Sequence, residues 1–243
     1  MALHVLTIGE SSPVGDLGIQ SDLRIFSALG IHGMAAVTAV RASQGDRGDE
    51  VSLERVSQQV QRILAACSVE AIKVGPLPSG AVVRAAAEHL ASVHAPIVLD
   101  WDVSGERAFS FDDEVGEALF EALVPRAVLL TTSIEAAEAL LGLPVRERVD
   151  IRRAARTLAH QGASTVWIRG GTVDGVWMPD LIWEDGVDEW FELPSVNVGP
   201  GALLSAIATA RLAGGDAARQ AVGWARDYLF NMMGGSGRPG IGG

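Results

Sequence analysis

A chain of 243 residues with 48% hydrophobic residues can bury a large core, and a formal net charge of -11 without any basic run excludes nucleic acid and anionic lipid as partners. No stretch approaches the roughly 18 consecutive apolar residues that a membrane span needs, and "MALHVLTIGE" lacks the basic-then-apolar pattern of a leader, so a cytoplasmic location is expected. Cys67 is the only cysteine, which excludes an intrachain disulfide and a cysteine metal cluster, and its alanine neighbours place it inside a helix, in the core. Of the 19 Lys and Arg residues only Lys73 is lysine, so any lysine-dependent chemistry must use it.

The first apolar runs, "HVLTIGE" and "GMAAVTAV", read as strands, and "GIQSDLRIFSALG" between them puts Ile19, Leu23, Phe26 and Leu29 at helical spacing. That is a βαβ unit. "SLERVSQQVQRILAAC" is a helix with Ser52 as N-cap and Leu53, Val56, Val60, Ile63 and Leu64 on one face. The alternation continues through "VEAIKVG" (strand), "SGAVVRAAAEHL" (helix), "PIVLD" (strand), "FDDEVGEALFEAL" (helix) and "AVLLTT" (strand). "TSIEAAEALLG" is a helix opened by a capping box of Thr132 with Glu135 and closed by Gly142, with Pro144 just beyond. "DIRRAARTLAHQG" is a further helix and "STVWIRGG" a further strand. From Val173 to Pro194 the chain reads as two antiparallel strands around the turn "EDG", with Trp167, Trp177, Trp183 and Trp190 turned to the core. Two helices close the chain, Asp216 capping the second, and the glycine-rich tail from 234 to 243 is expected to be disordered beyond a single domain over 1–233.

Strands alternating with helices predict an α/β fold, a three-layer α/β/α sandwich around a mainly parallel sheet. Ligands of such sheets sit outside the carboxyl ends of the strands, here Gly9 to Ser12, Arg41 to Gln44, Lys73 to Gly75, Asp100 to Asp102, Thr131 to Ser133 and Arg169 to Gly171. Asp22 falls in the first turn of its helix, where the dipole favours a carboxylate, and Asp100 ends an apolar strand where it could orient magnesium or a phosphate. "NVGPGALLSAIATA" is a glycine-broken loop running into a small-residue helix, an arrangement that offers backbone NH groups to a phosphate. No two of His4, His32, His89, His94 and His160 have metal-ligand spacing.

These residues resemble a known family. Gly18-Ile19-Gln20, Asp22-Leu23, Phe26 to Gly30, Gly33, Thr38 and Ala39 look like the amino-terminal signature of the hydroxymethylpyrimidine and phosphomethylpyrimidine kinases of thiamin biosynthesis, in the ribokinase-like superfamily. "IKVG", "IVLD", "LLTTSIEAAEALLG", "IRGG" and "PSVN…GPGALLSAIA" follow in the family's order, so the resemblance runs from residue 3 to about 230. It implies transfer of the γ-phosphoryl group of ATP, with magnesium, to the hydroxymethyl group of a pyrimidine or related vitamin precursor, by a homodimer. By resemblance, Asp22 and Gly9 lie at the pyrimidine, Ser43 stands where the family has a pyrimidine-reading glutamine, and Gln44 is next door. Gly199, Gly201 and Ala202 would form the anion hole for the nucleotide phosphate, Arg169 and Gly170 would lie on the nucleotide side, and Asp100 and Glu135 could serve metal or phosphate.

The departures concentrate at the chemistry. The family's Gly-Thr-Gly-Cys is Gly199-Pro200-Gly201-Ala202 here, so no catalytic base stands at Ala202 and Pro200 lacks an NH. Its Thr-Pro-Asn-x-x-Glu is Thr131 to Ala136, without the asparagine and glutamate, and its strand lysine is Arg169. Two functions stand side by side: a kinase for hydroxymethylpyrimidine, its monophosphate or another vitamin alcohol such as pyridoxal, and a silent pyrimidine-binding or regulatory relative.

Overall fold

The computed structural model describes residues 3–15, 17–42, 48–102, 113–173, 175–192 and 201–232. Ser43, Gln44, Gly199, Pro200 and the tail from 234 lie outside the described residues.

The described residues form eleven strands and eight α-helices, which alternate, apart from one short extra strand, as far as Leu141. β1 (His4–Ser11), α1 (Gly18–Ala28) and β2 (His32–Val40) form the βαβ unit that the apolar spacing predicts, with β1 and β2 parallel from His4↔His32 to Ser11↔Val40. A short β3 (Asp49–Glu50) turns back antiparallel on β2. Then come α2 (Leu53–Ala66), β4 (Ala71–Val74), α3 (Gly80–Leu90), β5 (Ile97–Asp100), α4 (Glu114–Ala122), β6 (Ala127–Ser133), α5 (Ile134–Leu141), α6 (Arg148–His160) and β7 (Thr165–Arg169). β8 (Gly171–Val173) and β9 (Val176–Met178) make a separate small hairpin that the sequence did not announce. β10 (Asp180–Glu184) and β11 (Val187–Phe191) are the expected antiparallel pair, joined at Asp185 and Gly186, whose φ values of 51° and 81° suit a tight hairpin turn. α7 (Gly201–Ala213) and α8 (Ala218–Met232) close the chain.

Nine strands form one sheet in the order β11-β10-β7-β6-β5-β4-β1-β2-β3, parallel from β7 to β2 and antiparallel at both edges. Helices cover both faces. Val56 and Val60 of α2, with apolar residues of α3 to α6, pack on one face against Leu6, Ile8, Ile72 and Leu99. Ile25 and Phe26 of α1, with α7 and α8, pack on the other against Val5, Val98 and Trp167. Strands buried on both faces read as near-continuous apolar runs, and each wholly buried Leu or Ile contributes about 1.5–3 kcal/mol. Among the described residues no helix is long and apolar enough to cross a membrane.

Four local expectations are corrected. Cys67 is the extended, half-buried residue that ends α2, its Sγ 3.3 Å from Met34 Sδ, because Ala65 and Ala66 lie on the solvent face rather than in the core. α5 is capped by Ser133, which accepts from the Ala136 NH at 3.2 Å; β6 runs through Thr132, so the Thr132–Glu135 capping box does not form. Asp216 accepts from Arg211 instead of capping α8, where Gln220 meets the Ala217 NH. Asp22 is the fifth residue of α1, past the first turn, and 2% exposed, so the dipole does not account for it. Ser52 holds the N-cap position of α2 without a side-chain bond to the helix. Of the four tryptophans expected in the core only Trp167 is wholly buried; Trp183 and Trp190 are half-buried against the core, with Arg156 over one ring and Arg148 and Arg152 over the other.

Candidate functional site

The chain leaves β1 toward β2 and β3 on one side, then returns to build β4 and every later strand on the other. Such a reversal opens a crevice at the carboxyl ends of the two central strands, because their outgoing connections diverge. A cleft of about 680 Å³, counted out to open solvent, lies there. Gly9 and Glu10 at the end of β1, Gly18 and Asp22 of α1, Arg41 after β2, Lys73 and Gly75 of β4, Asp100 and Asp102 after β5, and Gly201 and Ala202 of α7 line it. Gly18 has to be glycine: its φ is +66°, and a Cβ would stand 2.3 Å from the Glu10 carbonyl oxygen.

Lys73 is the hub. Its Nζ donates to Asp22 Oδ1 at 2.5 Å and to the Ala202 carbonyl at 3.2 Å, and lies 3.4 Å from Asp100 Oδ2. Asp22 takes a second bond, 2.6 Å, from Thr7 Oγ1, and Asp100 takes one of 2.6 Å from Ser205 Oγ. Ammonium and both carboxylates are at most 3% exposed. Burial raises the Asp22 carboxyl above the ordinary carboxylate value, while Lys73 and Thr7 oppose that rise and neighbouring Asp100 adds to it. Lys73 thus ties the α1 carboxylate, the β5 carboxylate and the first turn of α7 into one unit.

A second pocket adjoins the first and shares Asp102 and Gly201 with it; Ser133, Glu135, Arg169, Gly170, Trp177 and Leu204 are among its other walls. The Arg169 guanidinium, 5% exposed, reaches Thr131 Oγ1 at 2.5 Å, Asp102 Oδ2 at 2.6 Å and Asp100 Oδ1 at 3.4 Å. It lies against Gly201, where a Cβ would be 2.5 Å from Arg169 Nε. Burial alone would raise the Asp102 carboxyl, but the Arg169 charge and hydrogen bonds from Ser133 hold it below the ordinary value. Gly170 is fixed by its NH donating to buried Asp180 at 2.8 Å, an acceptor that also takes Trp167 Nε1 and pairs with Arg226.

At the strand ends the structure gathers Gly9, Asp22, Asp100, Glu135, Arg169, Gly170, Gly201 and Ala202 around these two adjoining pockets. Ala202 carries no group that accepts a proton, and its carbonyl accepts from Lys73 Nζ. Glu135 is exposed at the mouth of the second pocket. Among the described residues no three His, Cys, Asp or Glu side chains are grouped to hold a metal. Sequence reasoning missed Thr7, Ser205 and the Glu10–Arg41 ion pair. Thr7 and Ser205 had one signal, a hydroxyl inside an otherwise apolar run.

A family model described as phosphomethylpyrimidine kinase matches residues 13–242. The hydroxymethylpyrimidine/phosphomethylpyrimidine kinase of Streptomyces coelicolor is 32% identical over 237 residues, covering 94% of this chain and 88% of the relative. Its counterpart from Rhizobium meliloti is 32% identical over 256 aligned positions, covering 100% and 94%. Among solved structures, an ADP complex of Bacillus subtilis pyridoxal kinase superposes with a TM-score of 0.84 at 25% identity, covering 98% of this chain and 94% of that one. Clostridium difficile phosphomethylpyrimidine kinase gives 0.82 at 25% identity, covering 95% and 99%. The layered sheet, the crevice beside β1 and the sequence match over nearly the whole length agree: the chain belongs to the phosphomethylpyrimidine kinase family of thiamin biosynthesis, with a ribokinase-like fold.

Proposed function

We propose that this protein binds a hydroxymethylpyrimidine-type alcohol in the cleft above Asp22 and Lys73 and phosphorylates it slowly at the expense of ATP. One observation carries the reading: Lys73 joins Asp22, Asp100 and the first turn of α7 at the crevice where Arg169 also arrives. Phosphoryl transfer rests almost entirely on positioning and on stabilising charge. Lys73 and Arg169 supply fixed cations within a wall of buried strand ends, and their placement needs no reorganisation at the moment of reaction.

The residues of the second pocket fit a nucleotide phosphate, since Arg169 and the start of α7 both favour an anion there. ATP, when bound, supplies the phosphoryl group. Glu135 is the carboxylate left to hold magnesium, because Asp102 is committed to Arg169, and one carboxylate together with phosphates is an ordinary magnesium environment. Asp22 takes the role of proton acceptor for the substrate hydroxyl. It lines the cleft, and its raised pKa brings it nearer to the value a general base needs. Its two existing bonds, to Lys73 and Thr7, make it a poorer base than a free carboxylate, and this is why turnover is slow. Cytoplasmic location and a homodimer accompany this reading.

Ala202 favours a second reading, a silent binding relative of the family. Mass-spectrometric detection of product separates the two, using the purified protein at high concentration with Mg-ATP and hydroxymethylpyrimidine or its monophosphate. Product above background, abolished in Asp22→Asn, is expected. No product from folded protein that binds the alcohol would establish the silent reading instead.

A further inference from the structure

Arg169 enters the second pocket with every side of its guanidinium taken. Nη1 donates to Thr131 Oγ1 at 2.5 Å and lies 3.4 Å from Asp100 Oδ1. Nε and Nη2 press on the first turn of α7, where a Cβ on Gly201 would stand 2.5 Å from each. Nη2 is buried, 2.6 Å from Asp102 Oδ2. These neighbours differ in how firmly they are enclosed. Thr131 and Asp100 are 0% and 3% exposed and Gly201 is helix backbone, whereas 33% of the Asp102 side chain reaches solvent. An anion that is to meet this guanidinium must therefore take the place of the Asp102 carboxylate.

Asp102 is also placed at a boundary, because among the described residues it and Gly201 alone line both pockets. A group passed from one pocket to the other crosses there. The carboxylate is held from behind: Trp101 is wholly buried with its NH bonded to the Thr131 carbonyl at 2.8 Å, and Ser133 donates to Asp102 from its hydroxyl and its backbone NH. The charges nearby are already settled. Lys73 and Arg169 face Asp22, Asp100 and Asp102, while Arg41 and Glu10 neutralise each other in the first cleft and Glu135 adds a carboxylate to the second pocket. Two cations against three carboxylates leave no surplus positive charge for a further phosphoryl group beyond the NH groups at the start of α7.

We propose that Asp102 stands where the terminal phosphoryl group of a nucleoside triphosphate would lie, and that it makes the pocket selective for a nucleoside diphosphate. A triphosphate enters only by turning Asp102 off Arg169, with loss of that ion pair and of the bonds from Ser133. This rests on the reading of the second pocket as the nucleotide site, but not on catalysis.

The test is equilibrium binding of ADP and of ATP by calorimetry, at one magnesium concentration and without an alcohol. The wild type is expected to bind ADP about 10-fold more tightly than ATP, and Asp102→Asn to abolish that preference, chiefly through tighter binding of ATP. Asp102→Glu, which keeps the charge, is expected to keep a preference for ADP. A wild type that binds ATP as tightly as ADP would overturn the inference before any variant is made. A ratio unchanged by Asp102→Asn, which is what a merely structural role would give, would overturn it too. So would weaker binding of ATP by Asp102→Asn with ADP unaffected, since Asp102 would then be a magnesium ligand. Binding of neither nucleotide to the wild type would overturn the nucleotide reading of the pocket and this inference with it, whereas selective binding without phosphorylated product would overturn the kinase reading alone.

Discussion

The two halves of the crevice differ in how their charges are settled. On the β1, β2 and β4 side, Lys73 pairs with Asp22 and Arg41 with Glu10, all four buried. On the β6, β7 and α7 side, Arg169 is shared among Thr131, Asp100 and Asp102, Glu135 is exposed, and position 202 carries only a methyl group. Buried carboxylates and cations persist only where they satisfy one another, so the first half is built to hold a ligand in one orientation. The second half has the cation for an anion but lacks an accepting side chain at the start of α7. On the proposed function, this difference assigns the first half to binding and makes the proton-transfer step in the second half the weak one.

The largest blow to the first half is Lys73→Met, which leaves Asp22 and Asp100 buried against each other. It is expected to lower unfolding stability by about 3–5 kcal/mol, read from urea midpoints, and to abolish turnover. Gly18→Ala attacks the same half through the backbone, forcing a Cβ onto the Glu10 carbonyl at positive φ. A loss of about 1–3 kcal/mol is expected, and a loss below a few tenths would show that the loop relaxes freely.

Gly201→Ala sharpens the contrast from the other half. Its Cβ would displace the Arg169 guanidinium, so nucleotide affinity is expected to fall by about 10-fold with affinity for the alcohol unchanged within about 3-fold. If both affinities fall together, the two pockets are one unit and the comparison fails.

The smallest effect concerns pH. Asp102 has a folded pKa below its unfolded value, so its pair with Arg169 stabilises above the ordinary carboxylate value, and that contribution is lost as pH falls through the lowered folded value. Asp102→Asn is expected to flatten that part of the acid unfolding curve. Asp22 runs the opposite way: its folded pKa is raised, so its contribution is full below the unfolded value and is lost as pH rises through the folded one. If Asp22 is the base, the acid limb of kcat/KM lies above the ordinary carboxylate range.

Much of this was legible in the sequence because periodicity is a local property. Ile19 and Phe26 at helical spacing fixed α1, and the apolar runs ending at Gly9, Lys73, Asp100 and Arg169 fixed the rim of the site before any geometry was known. Capping was harder to read. Thr132 and Ser133 both suit an N-cap, and the choice fell to Ser133 because pairing with β7 extends β6 by one residue, through Ser133↔Arg169. Partnerships were hardest: nothing near Thr7, Ser205, Glu10 or Arg41 in the chain says which distant group each will meet. Those contacts span 15 to 105 residues and exist only once the sheet is assembled.

The measurement that bears most directly on the separation of binding from turnover is a steady-state comparison of the wild type with Ala202→Cys, using Mg-ATP and hydroxymethylpyrimidine. A proton acceptor restored at the first turn of α7 is expected to raise kcat by about 100-fold, within the range that general-base catalysis supplies, with KM for the alcohol unchanged. An unchanged kcat, or a wild-type kcat already near the enzyme median of about 10 per second, would contradict the account.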